Sequence, residues 1–557
     1  MGGPTEEKLF TRREIEGLIA EGRKVIIVDD KVLKVDPWLK YHPGGDKAIM
    51  HMVGRDATDE VTALHSAATK QMMLKFKVGR IQGPWVNFKP PIQGGKFRVI
   101  GDDCPSENDL AADFTNVAPS DLVSSGATTP TSSGSERDYI LDPRLRRRKA
   151  PADSSSISSV SDAEDEATLS LRQEAERRLQ EDLDKYPSLD MATQQNIIAK
   201  YRELDQKLRD KGMYQCNYWA YGVECLRYSL CFGLFLYFLN TGWYKLSAVF
   251  LGFFWHQLTF TAHDAGHMGI THNFAVDTFI GIFIADFCGG LSIGWWKRNH
   301  NVHHIVTNEP DHDPDIQHLP FFAIDQKFFK SLYSTYYDRV MEYDAFARFV
   351  IRAQHWLYYP MLGFGRLNLY RLSWEYILLG QAPKKGIAWW HRYAELSALT
   401  LFWVWYGYFV IYRCIPTTSD RIIFFCISHV VPFPVHVQIT LSHFAMSTSD
   451  IGVAESFPQR MIRTTMDVDC PEWLDFFHGG LQFQVIHHLY PRMPRHNLRA
   501  AQKDVMEFCK EVGLPYALYG FYEGNKAVIG HLAEISKQAA IFKECQQYCM
   551  ENPGHAH

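Results

Sequence analysis

The sequence lacks the signals of several common protein classes. Its 58 lysines and arginines are nearly balanced by 63 aspartates and glutamates, which gives no sign of the basic surface that bulk nucleic-acid binding requires. The eleven cysteines form no CxxC motif, so we expect a reducing compartment rather than a disulfide framework. A signal peptide has a basic run followed by an apolar run. The amino terminus, MGGPTEEKLF, lacks this pattern. We therefore expect no nucleic-acid partner and a cytosolic amino terminus.

Composition changes sharply along the chain and predicts a multi-domain protein. Stretches rich in Ser, Asp and Glu lie in the first 210 residues, and long apolar, aromatic runs follow. The Ser-rich stretches cannot bury enough apolar surface to fold alone, and a basic cluster, RLRRRK, lies between them at residues 144–149. The predicted division is a small α+β domain at residues 1–85, a disordered low-complexity linker at 86–165, an amphipathic helical segment at 166–215, an all-α membrane domain at 216–500 and a cytosolic segment at 501–557.

Apolar runs in the second half of the chain predict about four transmembrane helices. Each run is about long enough to cross a hydrocarbon core of ~30 Å; the runs are residues 224–240, 244–262, 395–414 and 421–444. Lys and Arg lie mostly outside the short loops that join each pair, so the positive-inside rule places both termini in the cytosol. A further apolar segment, residues 274–296, is interrupted by Asp277, Asp286 and two glycines. It is predicted to be re-entrant or interfacial, with a fifth span as the alternative.

Two histidines near the amino terminus have the arrangement of haem ligands. The turn His42-Pro-Gly-Gly is followed by a helical pattern that ends at His65. A haem iron held by two imidazoles has both axial positions filled and can only pass electrons. This segment resembles cytochrome b5 over roughly residues 7–83, and the resemblance implies that His42 and His65 bind one haem b. His51 matches no ligand position and is expected to be exposed.

Three histidine boxes follow the apolar segments. They are HxxxH at His263 and His267, HxxHH at His300, His303 and His304, and QxxHH at Gln484, His487 and His488. Residues three or four apart share a helix face, so the imidazoles of one box can reach one metal. Seven histidines are too many for one tetrahedral zinc, and they fit two metals. Imidazole ligands admit several transition metals; a neighbouring haem electron donor favours redox-active iron.

These boxes, together with the haem segment, resemble the membrane fatty-acyl desaturases of the front-end type. That group carries an amino-terminal cytochrome b5 domain and Gln at the start of the third box. The resemblance covers roughly residues 220–500 and includes HGGLQFQVIHHLYPRMPRHNLR and WWKRNHNVHH with DPDI. It implies that the seven box histidines bind two iron ions and that His443, in SHF, is a further ligand. Gln484 could bind metal directly, bind it through water, or orient a neighbour; His256 and His312 are expected to play supporting or structural roles.

Within the front-end group, FWHQLTFTAHDAGH, SHFAMS and the long Ser-rich linker look like the fungal Δ8 sphingolipid desaturases. This resemblance implies an oxidoreductase of the endoplasmic reticulum membrane that introduces a Δ8 double bond into the long-chain base of ceramide. It would use O₂ and electrons passed from NADH by cytochrome b5 reductase through the fused haem. A front-end desaturase of acyl lipids and a di-iron lipid hydroxylase remain alternatives. A non-enzymatic haem scaffold is also possible, whereas a zinc hydrolase is disfavoured because HDAGH lacks the glutamate of HExxH.

Overall fold

The computed structural model describes residues 7–88 and 157–551. The basic cluster at residues 144–149 and most of the predicted linker lie outside the described residues. The described residues form an amino-terminal domain, residues 7–88, and a helical domain, residues 157–551. The two domains share an apolar cluster and are packed against each other.

The amino-terminal domain is an α+β unit built on a four-stranded sheet. Its elements are β1 (Leu9–Phe10), α1 (Arg12–Ala20), β2 (Val25–Val28), β3 (Lys31–Lys34), a 3-10 turn (Leu39–Tyr41), α2 (Asp46–Met50), α3 (Thr58–Leu64), α4 (Ala67–Met73), a second 3-10 turn (Leu74–Phe76) and β4 (Lys77–Ile81). The strand order is β1-β4-β3-β2, with β1 parallel to β4 and the other neighbours antiparallel. A capping box between Thr11 and Glu14 starts α1 by satisfying backbone donors that have no partner within the helix.

The helical domain begins with two long helices and continues into the apolar segments. Its elements are α5 (Ile157–Lys185), α6 (Met191–Asp210), α7 (Tyr218–Asn240), α8 (Tyr244–Gly266), α9 (Phe274–Gly281) with a π-helical turn (Ile282–Cys288), α10 (Ile293–Ile305), a 3-10 turn (Gln326–Lys330), β5 (Leu332–Ser334), β6 (Arg339–Met341), α11 (Ala345–Ile351), α12 (Gln354–Gly363), α13 (Gly365–Leu378), a 3-10 turn (Gly386–Ala388), α14 (His391–Phe402) with a π-helical segment (Trp403–Cys414), α15 (Thr418–Val430), α16 (Phe433–Leu441), α17 (Phe457–Thr464), β7 (Asp467–Asp469), a 3-10 turn (Glu472–Leu474), α18 (Asp475–His478), α19 (Gln484–Leu489), a 3-10 turn (Arg495–Asn497), α20 (Leu498–Val512), β8 (Leu518–Gly520) and α21 (Phe521–Glu551). The expected boundary between linker and helical segment, at residues 165 and 166, falls inside α5.

Helix α6, in the predicted amphipathic segment, packs its apolar face against the rest of the helical domain. Asp190 caps its amino end, and its buried apolar side chains, Ile197, Tyr201, Leu204 and Leu208, recur at helical spacing and form one face. That face belongs to the same apolar cluster as residues of α17, α19 and α20. The segment therefore packs against the part of the chain that carries the third histidine box.

Long apolar helices agree with the prediction of about four membrane spans. Among the described residues, three helices are long and apolar enough to cross a membrane: Tyr218–Asn240, Gly386–Cys414 and Thr418–Leu441. The apolar run at residues 244–262 forms α8, which packs along α7 and α15 but is not one of these three. A bent pair, Phe274–Cys288 and Ile293–Ile305, would make a fourth candidate.

The bend between that helix pair directs the second histidine box. The two helices meet at 114°, which fits a broken span or a re-entrant loop. Gly290 allows the break because its φ is +72° and a Cβ there would lie 2.4 Å from the Phe402 ring. Ser292 then caps α10 through the backbone amide of Trp295. The Gly-Gly interruption seen in the sequence thus re-aims α10, which carries HxxHH.

Candidate functional site

The three histidine boxes converge in the helical domain. The converging side chains are His263 and His267 at the end of α8, His300, His303 and His304 on α10, His443 just after α16, and Gln484, His487 and His488 on α19. Helix α8 ends here because the residue that follows its cap, Met268, has a φ of +58°, which breaks the helical conformation. The sequence predicted that these histidines would come together, and the structure brings all eight into one cluster.

The cluster divides into two groups, and each could hold one metal ion. The first group is His263, His267, His300 and His487, and the second is His303, His443 and His488; within a group, the ligand atoms lie within 4.8 Å of one another. The second and third boxes each contribute to both groups. His304 lies between the groups, with its Nε2 3.1 Å from Nε2 of His300 and 3.1 Å from Nε2 of His487. The arrangement matches the prediction of two metals sharing one site.

The chemistry of these side chains fits transition-metal ions. Burial is the largest cause that lowers the pKa of His443, His487 and His488 well below the ordinary value, so the rings are neutral and can donate a lone pair. Buried ring nitrogens without a hydrogen-bond partner among the described residues include His267 Nε2, His304 Nδ1 and His488 Nε2. Buried polar atoms are normally paired, and a metal ion would satisfy these.

Two carboxylates that the sequence analysis did not assign orient the second box. His303 Nδ1 lies 2.9 Å from Asp313 Oδ2, and the backbone amide of Asn308 donates to the same oxygen at 2.8 Å. Asp315 Oδ2 lies 3.5 Å from Nδ1 of His300. A carboxylate on the far nitrogen of an imidazole fixes the ring's tautomer and strengthens it as a ligand. The signal was in the DPDI motif, which was noted for its resemblance but not for this role.

A buried ion cluster ties the first box to the third. Arg495 pairs with Asp264, the neighbour of His263, and with Glu224 on α7. Tyr221 donates a hydrogen bond to the same Asp264 carboxylate. Burying a charge is costly unless it is paired, and this network pairs Arg495 twice. No local sequence pattern marks the cluster, because its members lie on three separate segments.

Two other polar side chains take positions that bear on the predictions. Gln484 lines a small cavity together with His263 and His487, which leaves its three predicted roles open. His256 joins neither metal group; its ring stacks on Phe477 with centroids 4.9 Å apart.

The prediction that His51 is exposed is wrong. Its side chain is only 1% exposed, because its Nε2 contacts Thr335 Oγ1 of the helical domain at 3.0 Å. His312 contacts the same hydroxyl at 2.9 Å, so both histidines belong to the boundary between the domains. Packing between the two domains was invisible in the local sequence pattern.

His42 and His65 face each other across a cleft in the amino-terminal domain. Their ring centroids are 5.9 Å apart. The Nδ1 atoms contact the carbonyl oxygens of Gly45 at 2.7 Å and Val61 at 3.2 Å, which leaves each Nε2 available to a metal. Burial lowers the pKa of His65 to about 3 and also lowers the pKa of His42. Two opposed neutral imidazoles fit the axial ligands of a haem iron.

The haem-ligand turn docks directly on α10. Asn301 Nδ2 donates to the Gly44 carbonyl at 3.3 Å, and Arg298 donates to Asp46 at 2.9 Å. Apolar residues of α10 join one cluster with residues of β2 and α3. Helix α10 therefore presents metal-site histidines on one face and the docking contacts on another.

The two glycines of the turn permit this close approach. A Cβ at Gly44 would lie 2.7 Å from Asn301 Nδ2, and a Cβ at Gly45 would lie 2.7 Å from Arg298 Cγ. Gly45 also has a φ of +91°, which L side chains rarely adopt. The HPGG motif thus shapes the turn and also fits it against the helical domain.

Comparison with known proteins gives two family matches and several full-length relatives. Residues 241–520 match the family described as fatty acid desaturase, and residues 11–82 match the cytochrome b5-like haem/steroid binding domain. The chain is 58% identical to the Delta 8-(E)-sphingolipid desaturase of Emericella nidulans, over 99% of this chain and 98% of that protein. It is 51% identical to the protein of that name from Kluyveromyces lactis (97% and 94%) and 47% identical to the one from Candida albicans (97% and 98%). Both resemblances expected from the sequence are therefore confirmed.

Proposed function

Because the chain belongs to the fatty acid desaturase family, we propose that it introduces a Δ8 double bond, in the trans configuration, into the long-chain base of a sphingolipid such as ceramide. Relatives that match over nearly their whole length are Delta 8-(E)-sphingolipid desaturases. The observation that carries the proposal is the presence of two groups of histidines that could each hold a metal, partly on the same helix, α10, that contacts the haem-ligand turn. A membrane protein that brings these two centres together is equipped to use O₂ on a lipid.

The two centres hold different groups. The cytochrome b5-like domain implies a haem, and the desaturase family implies a di-iron site. His42 and His65 would hold the haem iron, and the two iron ions would be held by the eight clustered histidines, namely His263, His267, His300, His303, His304, His443, His487 and His488. Iron at this site supplies the oxidising power that removal of hydrogen from an unactivated methylene requires.

The overall reaction balances with electrons from outside the chain. Two hydrogens leave neighbouring methylenes of the lipid, and one O₂ takes up these together with two electrons and two protons to give two waters. The electrons come from NADH through cytochrome b5 reductase and then through the haem domain. Asn301 and Arg298 hold the haem-ligand turn on α10, the helix that also carries His300, His303 and His304.

Residues around the histidines keep the site in one geometry. Asp313 fixes the tautomer of His303 and so directs its free nitrogen toward the metal. The pairing of Arg495 with Asp264 and Glu224 locks α7, α8 and the segment after α19 together. Gln484 shares a small cavity with His263 and His487, where it would bind metal directly, bind it through water, or orient a neighbour.

The expected domain division and location complete the proposal. A haem domain at residues 1–85 and a linker at 86–165 precede the helical segment at 166–215, the membrane domain at 216–500 and a cytosolic end at 501–557. The protein lies in the endoplasmic reticulum membrane with both termini in the cytosol. The candidate spans and the absence of Lys and Arg from the short loops support this topology.

Lipid analysis tests the reaction. The full-length chain is expressed in a host that lacks Δ8-unsaturated sphingoid bases, and the long-chain bases are analysed by mass. We expect a base lighter by two hydrogens with the double bond at C8. A gain of one oxygen would instead identify a hydroxylase, and unsaturation confined to glycerolipid acyl chains would identify an acyl-lipid desaturase.

Metal analysis tests the site independently of the lipid. We expect about two iron atoms per chain in addition to the haem iron, as a pair of histidine-ligated ions requires. Iron found only in haem would contradict the ligand assignment and favour a haem scaffold without catalytic metal.

A further inference from the structure

Arg492 is a buried cation without a counter-ion among the described residues. It follows His488 by four positions in the chain, and its side chain is only 8% exposed. Its Nε is buried and has no hydrogen-bond partner among the described residues. A buried charge is stable only when it is paired and hydrogen-bonded. The position therefore calls for an anion.

The neighbours of Arg492 do not supply that anion. Arg209 is nearby, but it repels Arg492 and is itself paired with Asp205 at 2.8 Å. The charge of Asp277 acts on Arg492, but both oxygens of Asp277 accept hydrogen bonds from Thr271, at distances from 2.6 to 3.2 Å. A bound anion would supply the partner that Arg492 lacks among the described residues.

Arg492 lies near the haem ligand His65. Ala63, two residues before His65, belongs to the same apolar cluster as Tyr490 and Met493, which lie close to Arg492 in the chain. The charge of Arg492 also contributes to the lowered pKa of His65. Asn301 contacts the carbonyl of Gly44, two residues after the other ligand, His42. The helical domain thus contacts the amino-terminal domain near both haem ligands.

We propose that Arg492 binds a propionate carboxylate of the haem, so that the helical domain completes the haem site when the two domains are docked. A guanidinium can bind a carboxylate through two parallel hydrogen bonds, and a haem propionate is the anion that a haem cleft brings to its own edge. The pair would hold the haem in place and fix its edge beside the segment that carries His487 and His488. This assignment depends on haem binding and not on which lipid is the substrate.

The assignment is tested by removing the charge of Arg492 and the charge of the haem propionates, separately and together. The full-length protein, wild type or Arg492→Gln, is produced in haem-depleted cells and reconstituted with haem b or with its dimethyl ester, whose propionates carry no charge. The measurement is the rate of haem transfer to excess apomyoglobin. With haem b, Arg492→Gln should release haem about tenfold faster, as expected for loss of one charged hydrogen bond. With the dimethyl ester, the two proteins should release haem at the same rate.

Two further variants make the comparison decisive. Arg209→Gln removes a nearby charge that already has a partner, so it should release haem b at the wild-type rate. Arg492→Lys keeps the charge but loses the planar fork, so it should release haem b several-fold faster than wild type and the ester at the wild-type rate. Equal release of haem b by wild type and both Arg492 variants would overturn the proposal. An effect of Arg492→Gln that persists with the dimethyl ester would also overturn it, because the role would then be structural.

Discussion

The haem cleft and the histidine cluster are both built from buried imidazoles, but the protein orients these rings in different ways. In the cleft, His42 and His65 each use Nδ1 to contact a backbone carbonyl three or four residues away. In the cluster, His303 uses Nδ1 to contact the carboxylate of Asp313. A carbonyl mainly orients the ring, whereas a carboxylate also makes it a stronger ligand. The cleft suits a cofactor whose iron is already held by a macrocycle, and the cluster suits ions that depend on the protein for their ligands.

The two regions also differ in how the chain builds them. The cleft comes from one short domain in which a turn and a helix end place both ligands. The cluster needs α8, α10, α16 and α19, which are far apart in the chain. Loss of one residue should therefore affect one centre and leave the other intact. The predictions below use this independence.

The largest effect is expected from removal of a cluster ligand. His303→Ala or His487→Ala should abolish the unsaturated product, because each removes a ligand from one of the two groups. The haem absorption spectrum should stay normal, because His42 and His65 are untouched. Lipid profiling and difference spectra of the same membranes measure the two effects. As a control, His355→Ala alters a histidine that contacts Ser536 outside the cluster and should retain product; a similar loss in this control would point to misfolding.

Removal of a haem ligand should have the reverse outcome, in which the haem is lost and the histidine cluster keeps its iron. His42→Ala should lose haem and turnover but keep the non-haem iron, because the cluster ligands are all in the helical domain. His51→Ala is the matched control, since His51 lies in the same domain and is also buried but contacts Thr335. It should keep its haem. Haem content and total iron per chain are the measurements, and loss of non-haem iron in His42→Ala would break the independence of the two centres.

The ligands were predictable from the sequence because metal chemistry leaves a local pattern. His42 and His65 were marked by the HPGG turn and a helix end, and the boxes by spacings of three and four residues. These spacings predict a shared helix face whatever the rest of the fold does. The division of the second and third boxes between two metal groups does not follow from these spacings and required the three-dimensional structure.

The supporting residues were less predictable because their partners are distant in sequence. Arg495 pairs with Asp264 and Glu224, more than 200 positions away, and no periodicity marks such a contact. His51 was expected to be exposed because it matches no haem-ligand position. Its burial depends on Thr335 in the helical domain. Domain packing of this kind requires the three-dimensional structure.

Substitution of Asp313, the carboxylate that contacts His303 in the cluster, is expected to have a smaller effect than removal of a ligand. Asp313→Asn should lower activity or metal affinity by about 10–100-fold, as is typical when a partner of a metal-bound histidine is changed. The amide can still accept a hydrogen bond but no longer carries the charge. Product formation and iron content are measured together. Asp311→Asn is the control, because Asp311 is only 3.9 Å from Lys327 in a partly exposed ion pair, and exposed ion pairs contribute little. Equal activity in the two variants would mean that the carboxylate is not needed at His303.

The smallest effect is expected from a substitution at the contact between the haem-ligand turn and α10. Gly45→Ala places a Cβ against Arg298 and should push the haem-ligand turn away from α10. Reduced haem should then be reoxidised several-fold more slowly when O₂ and substrate are supplied. Gly83→Ala is the control; its φ is +77°, so an alanine there is also strained, but no atom lies within 4 Å of the added Cβ. Rapid mixing of the prereduced full-length protein measures the rate.

The clash can then be assigned to one side chain. Arg298→Ala removes the Cγ that the Cβ of residue 45 would meet at 2.7 Å, although it also removes the ion pair with Asp46. The double variant should therefore reoxidise its haem faster than Gly45→Ala alone but more slowly than wild type. If Gly45→Ala and Gly83→Ala reoxidise haem at the same rate, contact between the turn and α10 does not limit electron transfer, and the two centres communicate through another surface.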